Sequence, residues 1–502
     1  MPTKKIIDYI EEWADKEPNH VALISGTQEI TYKKLLEEAY KYAAVFLKMG
    51  VLPGDRIAYM FDCCLEFFYM YLGASAVGIA VSGINSRSPI IEVNKLVNIL
   101  DAKVLLCDYK REEILKILDK KTQVASFVDI NNCQIDASHK SKVDIYREKV
   151  NGNTPVFIVF TSGTTGDPKG AVLTQNSIIT SVKAQIREFG APEGLNSSDI
   201  IQHHVPICHV SGAVQWGVAP LIAGCTMIVH NRFNAENVIS NTEKYQATIL
   251  TGVPSMWELM FRLPDFKKYD LTSVRWCATG AAPTNRRLAE KIFEICGNVS
   301  NPLGMTETSG FCSMFQGDTS IEKVISTVGK IIPELECRIL DDKGNRLGVN
   351  EVGVLSYKGM SIIPGYLQKE LPVTSDGFFV TSDLAFRDSE GYIHMCGRQD
   401  DMFMVGGHNV YPEEIEKLML NYPNIGKAVV YPTPHSSMGN ICKALIVPDA
   451  MDEQIDTNAL IKYLENNTIY YKIPREIQIV SQLPSNTLGK IDRKSCAKIG
   501  NM

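Results

Sequence analysis

Apolar residues along the first part of the chain follow two alternating rhythms. A spacing of three and four marks one face of a helix, and short unbroken runs mark buried strands. Leu35, Ala39, Tyr40, Ala43, Ala44 and Leu47 share a helical face, Thr31 stands where an N-cap hydroxyl accepts a backbone N–H, and Gly50 supplies a stop. Residues 57–60 and 104–107 are apolar runs too short for helices and predict core strands. Runs at 156–160, 249–250 and 274–277 are each followed by a Gly- or Pro-bearing turn and then a helical pattern, so each predicts a strand, a turn and a helix. The alternation is that of an α/β protein with helix-covered sheets.

The last hundred residues change texture. Pro412 fits a first helical position, Glu413 and Glu414 suit the positive end of the helix dipole, and Ile415, Leu418 and Met419 predict the buried face. Strand-like runs follow at 429–431, 444–447 and 477–480, with a helix near 459–464. The expected organisation is a large multi-subdomain N-terminal domain over residues 1–399 and a small α+β C-terminal domain over 400–502.

Composition narrows the function classes. A chain of 502 residues with 45% hydrophobic and 22% charged residues is longer than one core requires. The net charge of −6 and the scattering of Lys and Arg among Asp and Glu disfavour a nucleic-acid binder and leave a small molecule as the expected partner. Thirteen cysteines occur without CxxC spacing, which argues against metal ligation and a disulfide framework and suits a cytoplasmic setting. The N-terminus carries acids within its first apolar stretch, unlike a secretory signal. The uncharged run from Phe67 to Ile84 is broken by Gly73, Ala74, Ser75, Gly78 and Gly83, so a buried helix running into a core strand is expected there rather than a membrane span.

Chemistry enters at Thr161, Ser162, Gly163, Thr164, Thr165, Gly166, Asp167, Pro168, Lys169 and Gly170, directly after a predicted strand. A loop this rich in glycine and hydroxyls can wrap polyphosphate with backbone N–H and short O–H donors, and Lys169 adds a cation. No glycine immediately precedes Lys169, so the loop is not the Walker pattern of P-loop NTPases.

TSGTTGDPKG resembles the signature loop of the adenylate-forming superfamily, which includes acyl-CoA synthetases, and further stations follow in the family's order. Gly280, Ala281, Ala282 and Pro283 resemble the segment lining the adenine and acyl pocket. Asn301, Pro302, Leu303, Gly304, Met305, Thr306 and Glu307 resemble the station whose Thr touches the α-phosphate and whose Glu holds Mg²⁺. Thr381, Ser382 and Asp383 are similar to the ribose-binding carboxylate station, Arg398 to the ribose-binding arginine, Asp400 to the hinge, and Gly489 and Lys490 to the catalytic lysine segment. The resemblance runs from about Thr31 to Arg493.

The resemblance implies an ATP- and Mg²⁺-dependent ligase with coenzyme A as acceptor and a mobile C-terminal domain. That domain first brings Lys490 to the phosphate and then presents Gly406 and Gly407, where a narrow pantetheine arm needs backbone without side chains. The same two glycines also fit a β-turn between strands. Physically, an acid attacking a negative α-phosphate needs cations and donors to offset the building charge, and Asp383 offers two acceptor oxygens to a ribose. Leu303 departs from the family's usual adenine-stacking Tyr, and Ser382 from its usual Gly.

Substrate class is partly readable. Family members that activate α-amino acids carry an ammonium-pairing Asp in the segment corresponding to residues 206–212, and here no acidic residue lies anywhere between Asp199 and Glu236, so an α-amino acid is disfavoured and a fatty or aromatic acid expected. Residues 206–212 resemble the PLFHxxG station of acyl- and aryl-CoA ligases, with His209 at the acyl tunnel or in the core. Trp216, Val253 and Met256 fit pocket wall and core equally. Loading of a carrier-protein phosphopantetheine is the alternative acceptor chemistry, and a nucleotide-binding protein without turnover is the alternative from another class.

Overall fold

The computed structural model describes residues 4–107, 111–118, 121–162, 168–190, 192–315, 317, 319–449, 455–484 and 491–500. Among these, the alternation read from the sequence becomes two largely parallel sheets that share an apolar core, an antiparallel sheet packed on the second of them through another, and a small α+β unit with a core of its own.

The first sheet has six strands in the order Gln123–Ala125, Val104–Cys107, Arg56–Met60, Ala80–Gly83, Pro155–Ser162 and Pro168–Thr174, parallel except for the last pair. The helix Tyr32–Lys48 is capped by the Thr31 side chain, which accepts from the Lys34 N–H. Leu35, Ala39, Ala43, Ala44 and Leu47 are buried as expected, while Tyr40 is half-buried. Leu65–Ala76 is a buried helix leading into Ala80–Gly83, and among the described residues no helix is long and apolar enough to cross a membrane.

The second sheet has seven strands, ordered Val299–Ser300, Trp276–Ala278, Ile249–Thr251, Ile200–His203, Thr226–Val229, Val21–Ser25 and Gln28–Thr31, and only the final hairpin is antiparallel. Its central strands are tied at their starts by an ion pair between a buried carboxylate and a half-buried guanidinium. Asp199, with no exposed side-chain surface, accepts from Arg275 Nε at 2.7 Å and Nη2 at 2.6 Å.

One expected passage is different. The run at 156–160 is not followed by a helix. Pro155–Ser162 pairs antiparallel with Pro168–Thr174, so a returning strand follows where a helix was expected. The returning strand buries Ala171 and Leu173 and satisfies its backbone on the neighbouring strand; only then does Thr174 cap the helix Gln175–Glu188.

The antiparallel sheet comprises Leu335–Leu340, Gly353–Gly359, Phe379–Arg387 and Ile393–Arg398. Beyond Arg398 come the hairpin Phe403–Val405 and His408–Val410, the helices Pro412–Leu420, Thr457–Asn467 and Arg493–Gly500, and the three strands Ile425–His435, Gly439–Pro448 and Glu476–Ile479. In Pro412–Leu420, Ile415 and Met419 are buried but Leu418 is only half-buried. Glu416 is buried instead, because Arg493 reaches its carboxylate and the Val430 N–H donates to it at 2.6 Å.

Candidate functional site

Two of the loops that carry the sequence stations leave the carboxyl ends of neighbouring parallel strands, where ligand crevices of α/β sheets form. Residues 279–285 follow Trp276–Ala278, and residues 301–303 follow Val299–Ser300 beside it, with the Thr279 N–H donating to Ser300 O at 2.8 Å. Gly280 lies against the second loop: a Cβ there would stand 3.6 Å from Pro302 O and 3.8 Å from Asn301 Oδ1. Ala281, with φ +64°, occupies the left-handed region that a side chain disfavours, and it and Ala282 are exposed. The Asn301 amide donates to Val324 O at 3.0 Å, which orients the loop from beneath.

Gly304 and Met305 pair with Gly310 and Phe311 around the short turn Thr306–Thr308. This hairpin lies close against the π-helix Ser211–Val218, since a Cβ on Gly304 would come within 3.2 Å of Gln215 Nε2. His209, half-buried, precedes that helix and accepts the Ala213 N–H at 2.9 Å through its carbonyl. A π-helix is a rare element that occurs frequently at functional sites. Leu303 is half-buried and its carbonyl accepts from the Cys312 N–H at 2.9 Å.

Glu307 is held by a residue that no sequence motif indicated. The Tyr366 hydroxyl donates to Glu307 Oε1 at 2.6 Å, and the Ile363 N–H donates to the Glu307 carbonyl at 3.0 Å. The same segment seals the edge of the strand Pro168–Thr174: the Leu367 N–H donates to Gly170 O at 2.8 Å, the Val172 N–H to Gly365 O at 3.0 Å, and Lys169 Nζ sits 5.7 Å from the centroid of the Tyr366 ring. Thr161 is the Cα partner of Lys169. Lys169, Tyr366 and Glu307 therefore form a continuous row, although they lie far apart in sequence. Burial, followed by the charge of Glu307, pushes the Tyr366 hydroxyl well above its ordinary pKa, so it remains a donor.

Asp383 and Arg398 are Cα partners in the antiparallel sheet, with Arg398 Nη1 2.9 Å from Asp383 Oδ1 and Arg398 Nη2 3.5 Å from Asp400 Oδ2. The sheet packs on the Glu307 hairpin through the core shared by Leu303, Met305, Phe311, Leu355 and Tyr357. Gly406 and Gly407 have φ of +56° and +84° and form the two-residue turn between Phe403–Val405 and His408–Val410, fixed by the Gly406 N–H donating to Met438 O at 2.8 Å. Gly163, Thr164, Thr165, Gly166 and Lys490 lie outside the described residues, and Ser162 is placed only by its backbone pairing with Pro168.

The donor set fits magnesium held through nucleotide phosphates. Among the described residues no group of three or more His, Cys, Asp or Glu could hold a metal, and Glu307 offers a single half-buried carboxylate whose Oε2 is left over from the Tyr366 bond. One carboxylate plus substrate phosphates is how Mg²⁺ is commonly bound.

Sequence reading missed two residues here. Tyr366 sits in an aperiodic Pro- and Gly-bearing stretch that carries no pattern. Gln215 had a signal, being the one polar long side chain in the apolar run 213–223.

Residues 10–367 match the model of the AMP-binding enzymes, and residues 414–490 match that of the AMP-binding enzyme C-terminal domain. The chain is 26% identical over 501 residues to an indoleacetate–CoA ligase of Aromatoleum aromaticum, covering 96% of each chain. It is 27% identical over 490 residues to a 2-succinylbenzoate–CoA ligase of Bacillus licheniformis, covering 97% of this chain and 98% of the relative. Its fold matches that of ATP-bound MatB from Rhodopseudomonas palustris with a TM-score of 0.85, 24% identity and 99% of both chains covered.

Proposed function

Because the chain belongs to the AMP-binding enzyme family, we propose that it is an ATP-dependent carboxylic acid:CoA ligase that works through an acyl adenylate. The carboxylate oxygen attacks the α-phosphorus of ATP and pyrophosphate departs. The thiol sulfur of coenzyme A then attacks the acyl carbon, its proton goes to solvent, and AMP leaves.

The supporting observation is the row Lys169, Tyr366 and Glu307, which sets a cation and an oriented carboxylate on either side of one tyrosine beside the strand Pro168–Thr174. In this reading the backbone from Thr161 to Gly166 cradles the β- and γ-phosphates, and Lys169 and Lys490 oppose charge as it builds. Thr306 donates to the α-phosphate. Magnesium, when bound, would supply positive charge at the phosphate oxygens, and Glu307 is the residue that would hold it. Asp383 and Arg398 hold the ribose hydroxyls, which turns the α-phosphorus toward the acid. Gly280, Ala281, Ala282 and Leu303 border the adenine, with Leu303 replacing ring stacking by apolar contact. His209 and Gln215 border the acid, which is fatty or aromatic.

The second half-reaction uses a rotation of the C-terminal domain about Asp400, taking residues 400–502 as the moving part and 1–399 as the frame. Gly406 and Gly407 then face the pantetheine arm.

The test is acid-dependent exchange of pyrophosphate into ATP across a panel of aliphatic and aromatic acids, followed by AMP release on adding coenzyme A. Exchange with at least one acid and acceleration by coenzyme A are expected. Absence of exchange with the whole panel overturns the reading, and exchange that coenzyme A leaves unaccelerated moves the acceptor to a carrier-protein thiol.

A further inference from the structure

Cys277 and Cys296 take no part in the chemistry above. Cys277 is fully buried in Trp276–Ala278, where it pairs with Leu250 on one side and Val299 on the other. Cys296 follows the helix Arg286–Phe293 and is half-buried. Their Sγ atoms are 3.4 Å apart, and Cys296 Sγ also lies 3.3 Å from Asn298 O.

A disulfide requires an S–S distance of about 2.05 Å, so joining these thiols takes a closure of about 1.4 Å. Cys277 cannot supply it, being locked by ladders on both sides. Cys296 can, since the neighbouring Gly297 faces open space. Contact with Cys277 holds the Cys296 thiol below its ordinary pKa, whereas burial pushes the Cys277 thiol well above. The nucleophile is therefore the sulfur that solvent reaches.

We infer that Cys277 and Cys296 are a reversible dithiol–disulfide pair whose oxidant is a low-molecular-weight disulfide. Cys296 thiolate attacks one sulfur of the oxidant and expels a small thiolate, giving a mixed disulfide on Cys296. Cys277 then attacks the Cys296 sulfur, passes its proton to the departing group, and the second small thiol leaves. The two cysteines lose two electrons and two protons, and the oxidant is reduced to two thiols. The new bond closes a loop that carries Gly280, Ala281 and Ala282 and so ties the redox state to the nucleotide-side segment.

The experiment treats the full chain with glutathione disulfide, digests it without reductant and reads the peptide masses. The wild type should yield a linked pair containing Cys277 and Cys296, two hydrogens lighter than the separate peptides and lost on dithiothreitol. Cys277→Ala should stop at a glutathione adduct on Cys296. Cys296→Ser, at a half-buried position, should leave Cys277 reduced and keeps the test open should the core variant fail to fold. A lasting glutathione adduct on Cys296 in the wild type, or Cys277 still open to alkylation after treatment and unfolding, overturns the pair.

Discussion

Arg398 and Asp383 stand directly opposite each other on antiparallel strands, with Nη1 2.9 Å from Oδ1. The proposed ribose carboxylate is thus oriented by the proposed ribose arginine before nucleotide arrives, and Asp400 at 3.5 Å ties the same guanidinium to the proposed hinge. Asp383→Asn keeps the shape and loses the charge. Its expected effect is a fall in kcat/KM for ATP of roughly ten- to a hundredfold, the worth of a hydrogen bond to a charged group, with the acid KM little changed. Steady-state kinetics with each substrate varied in turn checks this.

Tyr366→Phe keeps the ring beside Lys169 and removes only the donor to Glu307. Exchange is expected to fall roughly tenfold and the half-saturating Mg²⁺ concentration to rise, because the freed carboxylate must be oriented again at each binding event. Binding of Mn²⁺·ATP followed by proton relaxation gives a readout independent of turnover. An unchanged metal dependence would remove Tyr366 from this role.

Lys490→Ala is expected to abolish most adenylate formation and to spare thioester formation from a supplied acyl adenylate. Equal loss in both half-reactions would contradict the rotating-domain mechanism.

The Asp199–Arg275 pair makes a stability prediction. Arg275→Met strands a buried carboxylate, which costs about 3–5 kcal/mol and should lower Tm markedly, whereas adding Asp199→Asn should recover part of the loss by removing the charge. Thermal melts of the two variants decide it.

Burial holds the imidazoles of His204 and His230 below their ordinary pKa, at about 3 and about 4. Both are neutral in the fold, while the unfolded chain takes up protons below pH ~6.5. Their contribution is therefore complete above that pH and is lost as pH falls toward 4 and 3, at about 1.4 kcal/mol per pH unit for each histidine. Urea melts between pH 7 and pH 4.5 should show the decline, and His204→Leu should flatten it. An identical slope in that variant would rule out this source.

Local features were legible wherever burial repeats along the chain. The Thr31 cap, the buried helix ahead of Ala80–Gly83 and the α+β texture after residue 400 all follow from spacing, capping and charge at helix ends, which act within a few residues. Leu418 and Glu416 mark the limit: spacing alone places an apolar residue inside, but Arg493 in a distant helix makes the carboxylate the better-buried neighbour.

The sequence by itself determined the α/β alternation, the phosphate-loop composition and the order of the stations around it. Only the tertiary structure decided that Pro155–Ser162 is followed by an antiparallel partner strand rather than a helix, that Tyr366 links Lys169 to Glu307, and that Cys277 touches Cys296. The reason is one of range. Hydrophobic periodicity records whether each residue meets core or water, whereas these contacts join backbone edges and single side chains across long stretches of chain, which leave no repeating trace.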